Sequence, residues 1–193
     1  MLMKIINKIY KWNGTLKHRA RTDYIILHHA ASVSCSPDDI HRIHVNNGWT
    51  GIGYHYFIRK DGSIYTGRPI DVVGAHTSDY NSQAIGVCFE GNYETDNIMP
   101  DAQKKSGQEL ISHLKSIYHN VQVKKHKDFN ATACPGKYFP FEEIKKGVQE
   151  MTLDKAIEIV KTKAGLEQKT IDFMLCYKYG EELITKLAKT MEG

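Results

Sequence analysis

Tyr24-Ile25-Ile26-Leu27-His28-His29 is the stretch that sets the fold. Its apolar, β-branched start reads as a buried strand. The strand delivers two imidazoles at its C-terminal end, and strand ends rim open sheets, where sites form. Downstream, Ser36-Pro37-Asp38-Asp39 has the composition of a helix start, with serine as cap, proline first and acids in the first turn. That helix is expected to reach about Asn46, with Asn47-Gly48 as its stop. Tyr54 to Arg59 alternates like a strand, Asp61-Gly62 is a tight hairpin turn, and Ser63 to Thr66 returns. Ala84 to Glu90 is a further apolar strand, closed by Gly91-Asn92. Pro100-Asp101 opens a helix whose stripe is Leu110, Ile111, Leu114 and Ile117. Val121 to Val123 is a short strand leading to His126. Irregular alternation with one hairpin predicts an α/β domain over residues 1–150, a mixed central β-sheet flanked by helices.

After about Met151 histidines, prolines and strand signals stop. Leu153, Ala156, Ile157 and Val160 form one helical stripe, and Leu183, Ile184, Leu187 and Met191 another. Ile171 to Tyr177 between them is nearly all apolar and reads as a buried helix. Residues 151–193 are thus expected to be a small all-α C-terminal extension. A piece of this size is near the lower limit for an independent fold. It is expected to dock on the first domain, to self-associate, or both.

The chain of 193 residues is long enough for one packed core plus a small appendage. No run approaches the roughly 18–20 apolar residues that span a bilayer, so no membrane span is expected. Met1 to Trp12 has lysines but no long apolar stretch and no small-residue cleavage site, so no signal peptide is read. Cys35, Cys88, Cys134 and Cys176 lack paired spacing, which argues against a disulfide framework, and Cys88 reads as a small buried hydrophobe. The net charge of +4 belongs to residues 1–150, as do all ten histidines. It is too dispersed for a nucleic-acid partner, which needs a basic stripe.

Chemistry is concentrated in His126-Lys-Asp-Phe-Asn-Ala-Thr-Ala-Cys134-Pro135-Gly136. An imidazole and a thiol stand eight positions apart in a loop that Pro135-Gly136 would fix. Two histidines and a cysteine can hold Zn²⁺ by three bonds and leave a fourth position open for water. The same residues also suit a thiol nucleophile, Cys134, activated by His126 or His28. For that reading no orienting carboxylate or amide stands out, beyond Asp128 and Asn130. His41 and His44, three apart on a helix, permit a metal but lack a partner, and His18, His113 and His119 sit in polar or helix-surface contexts. The residues alone leave metal and thiol chemistry both open.

Five further pieces, taken with that run, bear on the choice. They are Ile26-Leu27-His28-His29-Ala30, Gly48-Trp49-x-x-x-Gly53-Tyr54-His55-Tyr56 and Asp61-Gly62-Ser63-Ile64-Tyr65-x-Gly67-Arg68, then Gly74-Ala75-His76-x-x-x-Tyr80-Asn81, Ile85-Gly86-Val87-x-Phe89-x-Gly91-Asn92 and the His126–Gly136 run. In this order over residues 22–140, they resemble the zinc amidase family shared by phage lysozyme-type amidases, bacterial autolysins and peptidoglycan-recognition proteins. The resemblance stops by about residue 150. It implies that His28, His126 and Cys134 are ligands of one Zn²⁺ per chain and that Tyr54 is essential for catalysis. Thr132 stands where the family has lysine or threonine near the metal-bound water. His29 is implied to be a neighbour rather than a ligand. Trp49, His76 and Asn81 match positions that line or shape the substrate groove, although Trp49 reads equally as a core aromatic.

The implied reaction is hydrolysis of the amide between N-acetylmuramic acid and the L-alanine of the stem peptide, which makes bacterial cell-wall peptidoglycan the partner. The rival is a non-catalytic peptidoglycan-recognition module. Relatives that only bind commonly lack the cysteine ligand, and here Cys134 is present. Without a signal peptide, the chain is expected to stay in the cytoplasm until lysis releases it to the wall, as an endolysin, or to leave by a non-classical route, as an autolysin.

Overall fold

The computed structural model describes residues 3–148 and 151–192. The expected boundary at residue 150 falls on residues 149–150, outside the described residues. The chain divides into two compact units, Met1–Val148 and Gln149–Gly193.

In the first unit, β1 (Ile5–Ile6), β2 (Tyr24–His29), β3 (Tyr56–Ile58), β4 (Ile64–Thr66), β5 (Ala84–Phe89) and β6 (Gln122–Lys125) form one sheet in the order β1-β4-β3-β5-β2-β6. Only the β3–β4 hairpin is antiparallel. The sheet is therefore mixed, and the helices α1 (Pro37–Asn46), α2 (Asp101–Ile117) and α3 (Phe141–Lys146) accompany it. Two of these elements were not foreseen. β1 is two residues long and α3 is six, both too short to carry a period.

Central β2 and β5 are almost continuously apolar because both their faces are covered, the pattern of parallel strands inside a layered fold. Strand parity divides their side chains. Ile25, Leu27, Ile85, Val87 and Phe89 join Leu110, Ile111 and Leu114 of α2 and Phe141 and Ile144 of α3 in the larger core. Burying each such side chain is worth roughly 1.5–3 kcal/mol. On the other parity, β5 offers only Ala84, Gly86 and Cys88, and Cys88 packs with Cys35, Ile40, Ile52 and Phe57 in a smaller cluster. His28, in register with Cys88, shares this thinly filled side, which leaves room for a site.

α1 starts on a reciprocal capping box. Ser36 Oγ accepts the Asp39 N–H at 3.1 Å, and Asp39 Oδ2 accepts the Ser36 N–H at 2.9 Å. It ends at Asn46, and Gly48 takes φ +80° just beyond.

The second unit holds α4 (Leu153–Ala164), α5 (Gln168–Leu175) and α6 (Gly180–Glu192) around Ala156, Val160, Ile171, Ile184 and Ala188. The expectation of a buried helix from Ile171 to Tyr177 is corrected. Within that stretch only Ile171 is fully enclosed, while Phe173 and Tyr177 are 63% and 61% exposed. A three-helix unit this small can cover one face of each helix but cannot surround one.

Candidate functional site

His28 ends β2, His126 opens a 3-10 turn directly after β6, and Cys134 lies on the loop beyond. β6 is the parallel neighbour of β2, so the two strand ends deliver their imidazoles side by side, with ring centroids 4.5 Å apart. The loop brings the thiol back. The Cys134 carbonyl accepts the Lys127 N–H at 3.0 Å, and Thr132 Oγ1 accepts the Cys134 N–H at 3.2 Å. Gly136 (φ +101°) passes so close to Tyr93 that a Cβ would lie 2.2 Å from its carbonyl carbon. The ligating atoms of His28, His126 and Cys134 all fall within 4.8 Å of one another, and no other such group occurs among the described residues.

The hydrogen bonds sort the ring nitrogens. His28 Nδ1 is 3.8 Å from Cys134 Sγ, while its Nε2 points away, 3.1 Å from His76 Nδ1. His126 Nε2 is 3.1 Å from Asn130 Oδ1, one helical turn on, which leaves its Nδ1 as the lone pair facing the group. Asn130 thus orients His126. Its signal in the sequence was the spacing of four within a short turn. Asp128 is spent on the Lys125 N–H.

Burial sets the protonation states. It drives His28 well below the ordinary imidazole range, aided by the neighbouring His76, His126 and His29. His126 is lowered for the same reason, partly offset by Asn130. Burial also pushes the Cys134 thiol up to about 11, against a smaller opposing effect of the His29 backbone N–H. A thiol in that state is a poor nucleophile. Two neutral imidazoles and a thiol awaiting a counter-cation are instead the donor set of a zinc site with an open position. The 3.8 Å between Sγ and Nδ1 is close to the edge of a zinc tetrahedron, about 3.6 Å for bonds of about 2.3 and 2.1 Å. The residues present fit the metal.

Tyr54 stands beside this group, its ring 5.1 Å from His28 and 5.6 Å from His44. Burial raises its phenol well above the usual value, and the Cys88 and Cys134 thiols add to this. The segment that carries it is pinned from α1, where His41 Nδ1 accepts the Ile52 N–H at 3.2 Å and His44 Nδ1 accepts the Gly53 N–H at 2.9 Å. This is the use of the His41/His44 pair: each ring is an acceptor, and His44, pushed down to about 4 by burial, stays neutral for it.

A groove of about 490 Å³ opens beside His126, lined among others by Trp49, His76, Asn81, Asn130 and Thr132. Trp49 is 42% exposed and lies tilted against His44, ring centroids 4.4 Å apart, and it lines the groove rather than the core. Asn81 Oδ1 accepts the backbone N–H of both His76 (2.7 Å) and Thr77 (2.9 Å), holding that turn. His29 faces the opposite way, its Nδ1 accepting the Tyr93 N–H at 3.0 Å.

Residues 18–137 match the family model described as N-acetylmuramoyl-L-alanine amidase. The endolysin of Escherichia phage T7 is 32% identical over 126 residues, covering 62% of this chain and 83% of that protein. Peptidoglycan-recognition protein SC2 of Drosophila melanogaster is 35% identical over 125 residues, covering 58% and 67%. Among solved structures, the N-acetylmuramoyl-L-alanine amidase LysC from Clostridium intestinale URNW superposes with a TM-score of 0.70 at 36% identity, over 85% of this chain and 99% of that one.

Proposed function

The chain belongs to the N-acetylmuramoyl-L-alanine amidase family and is a peptidoglycan amidase, and on that premise we propose that it cleaves with one Zn²⁺ held by His28, His126 and Cys134. The observation that carries this reading is the convergence of those three donor atoms within 4.8 Å beside Tyr54. The bond cut joins N-acetylmuramic acid to the L-alanine of the stem peptide.

Bound zinc supplies Lewis acidity, lowering the pKa of water from 15.7 to about 7 and polarising a carbonyl. The chain's own residues do the rest. Asn130 fixes the His126 ring so that Nδ1 faces inward. The two rings stay neutral through burial, so a thiolate at Cys134 would leave the assembled centre at a net charge of about +1. Tyr54 keeps its proton at working pH, so its hydroxyl can donate to the oxyanion that develops from the scissile carbonyl and can pass a proton toward the departing amine. Thr132 accepts one backbone N–H and keeps a hydroxyl hydrogen free for substrate. It cannot serve as a resting base, because an alcohol does not ionise near neutrality. Trp49 and the Asn81-held turn at His76 form the groove walls against which glycan and stem are held.

Presence of Cys134 within reach of both imidazoles favours hydrolysis over recognition alone. For the helical unit we propose a supporting role in wall targeting or self-association, suggested by its exposed Phe173, Tyr177, Tyr179 and Leu183. Cytoplasmic synthesis followed by release at lysis is the route we propose to the wall, supported by kinship with phage endolysins.

The experiment is digestion of purified cell wall. New N-terminal L-alanine without new reducing sugar ends is the expected product. New reducing ends alone would assign the cut to the glycan and overturn the reading.

A further inference from the structure

Gly86 is out of place in its strand. β5 is buried along its whole length between two parallel partners, where a branched apolar side chain is the usual choice. A Cβ at Gly86 would lie 2.5 Å from Cδ2 and 2.6 Å from Cγ of His76. A Cβ at Gly74 would lie 2.4 Å from the same Cδ2. Two glycines, from a strand and from a loop, thus clear a slot for one imidazole. Asn81 then fixes the backbone that carries that ring.

The slot aims the ring at His28. His76 Nδ1 lies 3.1 Å from His28 Nε2, and the Thr77 hydroxyl, 2.9 Å from His76 Nδ1 and 3.4 Å from His28 Nε2, closes the triangle. The other nitrogen of His76, Nε2, is buried and makes no hydrogen bond. A proton held at Nε2 leaves Nδ1 as an acceptor.

We propose that His76 is a positioning residue that accepts the Nε2 proton of His28 and so fixes the tautomer and ring plane that present His28 Nδ1 to the metal. This rests on the zinc reading above. A neutral imidazole that gives Nδ1 to a cation must carry its proton on Nε2. At 1% exposure His28 is shut off from bulk solvent, and the nearer of its two neighbouring acceptors is His76 Nδ1, at 3.1 Å against 3.4 Å for the Thr77 hydroxyl. Without it, the penalty falls on the metal-binding tautomer alone. Metal-free His28 escapes by moving its proton to Nδ1, toward Cys134.

The test compares two variants of the full chain. His76→Asn keeps an acceptor near the place of Nδ1, whereas His76→Leu fills the slot without one. Zinc dissociation constants from chelator competition, and the absorption spectrum of the Co²⁺-loaded site, are the readouts. His76→Leu should bind zinc about 10–100-fold more weakly and shift the Co²⁺ bands. His76→Asn should stay near wild type in both. Wild-type zinc affinity in His76→Leu, or equal weakening in both variants, overturns the proposal; the second result would mark His76 as a filler of space. Should His76→Leu fail to fold, Gly86→Ala displaces the same ring without changing its chemistry, and unchanged zinc affinity there is equally fatal. A wild-type chain that binds no zinc would instead sink the metal reading, and the positioning role with it.

Discussion

Sγ of Cys134 lies 3.8 Å from Nδ1 of His28, across 106 positions of chain. Nothing local holds them together; β2, its parallel neighbour β6 and the loop from Lys125 to Gly136 do. Cys134 is also the one donor of the three that can carry negative charge. Cys134→Ser swaps a soft, ionisable ligand for a hydroxyl that stays protonated. Zinc content should fall from about one per chain to a small fraction, and amidase turnover with it, while the folded state persists. Metal analysis after gel filtration is the check. Full zinc in the variant would remove Cys134 from the ligand set.

Gly136 tests whether the loop is placed by backbone contact. Its φ of +101° is one that other residues rarely adopt, and the first atom of any side chain would meet Tyr93 backbone at 2.2 Å. Neither clash can be relieved by a rotamer change. Gly136→Ala should cost more than about 2 kcal/mol in urea unfolding, or shift the loop and weaken zinc binding. A variant with unchanged stability and unchanged zinc affinity would contradict the packing described.

Acid should destabilise the fold through buried histidine. His55 is completely enclosed, accepting the Gly86 N–H at Nδ1 and donating to the Val72 carbonyl from Nε2. Burial pushes it down to about 3. The Val72 bond opposes that shift, and Arg19 and Arg68 reinforce it. The unfolded chain binds a proton at about 6.5 and the folded chain does not. The contribution is therefore complete above about pH 6.5 and is lost as pH falls toward 3. At about 1.4 kcal/mol per pH unit it amounts to several kcal/mol over the window. Urea unfolding at pH 7, 5.5 and 4 should show this loss, and His55→Asn should show a smaller slope. Parallel slopes would exclude His55 as the source.

Parity explains why part of the site was legible and part was not. The run from Tyr24 to His29 reads as a strand, and its alternation sends His28 and His29 to opposite faces. In β5 the same alternation hides Ala84, Gly86 and Cys88 inside what looks like a uniform apolar run. That small-residue row, which makes space for His76 and Tyr54, carries no meaning until the ring it faces is known. His41 and His44 suggested metal by spacing, but their partners are the backbone N–H groups of Ile52 and Gly53 in the loop after α1, which side-chain patterns do not reveal. The strand expected from Tyr54 begins only at Tyr56 because the Tyr54 carbonyl instead accepts the Arg68 N–H at the close approach of Gly67. From the residues alone, the metal and thiol readings of Cys134 stayed level. The family resemblance favours the metal, and the convergence of the three donor atoms within 4.8 Å fits it.

Tyr54 provides the sharpest separation of binding from catalysis. Its ring packs against His28 and His44, and its backbone is held by contacts at Gly53 and Arg68 that do not involve the hydroxyl. Tyr54→Phe should therefore keep the fold, the groove and the zinc, and remove a single O–H. A donor aimed at a developing oxyanion typically contributes about 10²–10³ in kcat, so turnover should fall by roughly that factor. KM should change little, because the ground-state carbonyl gains much less from the same bond. Steady-state kinetics on solubilised peptidoglycan, with zinc content measured on the same sample, distinguishes the cases. A fall in KM-dependent binding alone would make Tyr54 a groove residue. Unchanged kcat would leave the oxyanion without a donor from this position and end the role assigned to the phenol.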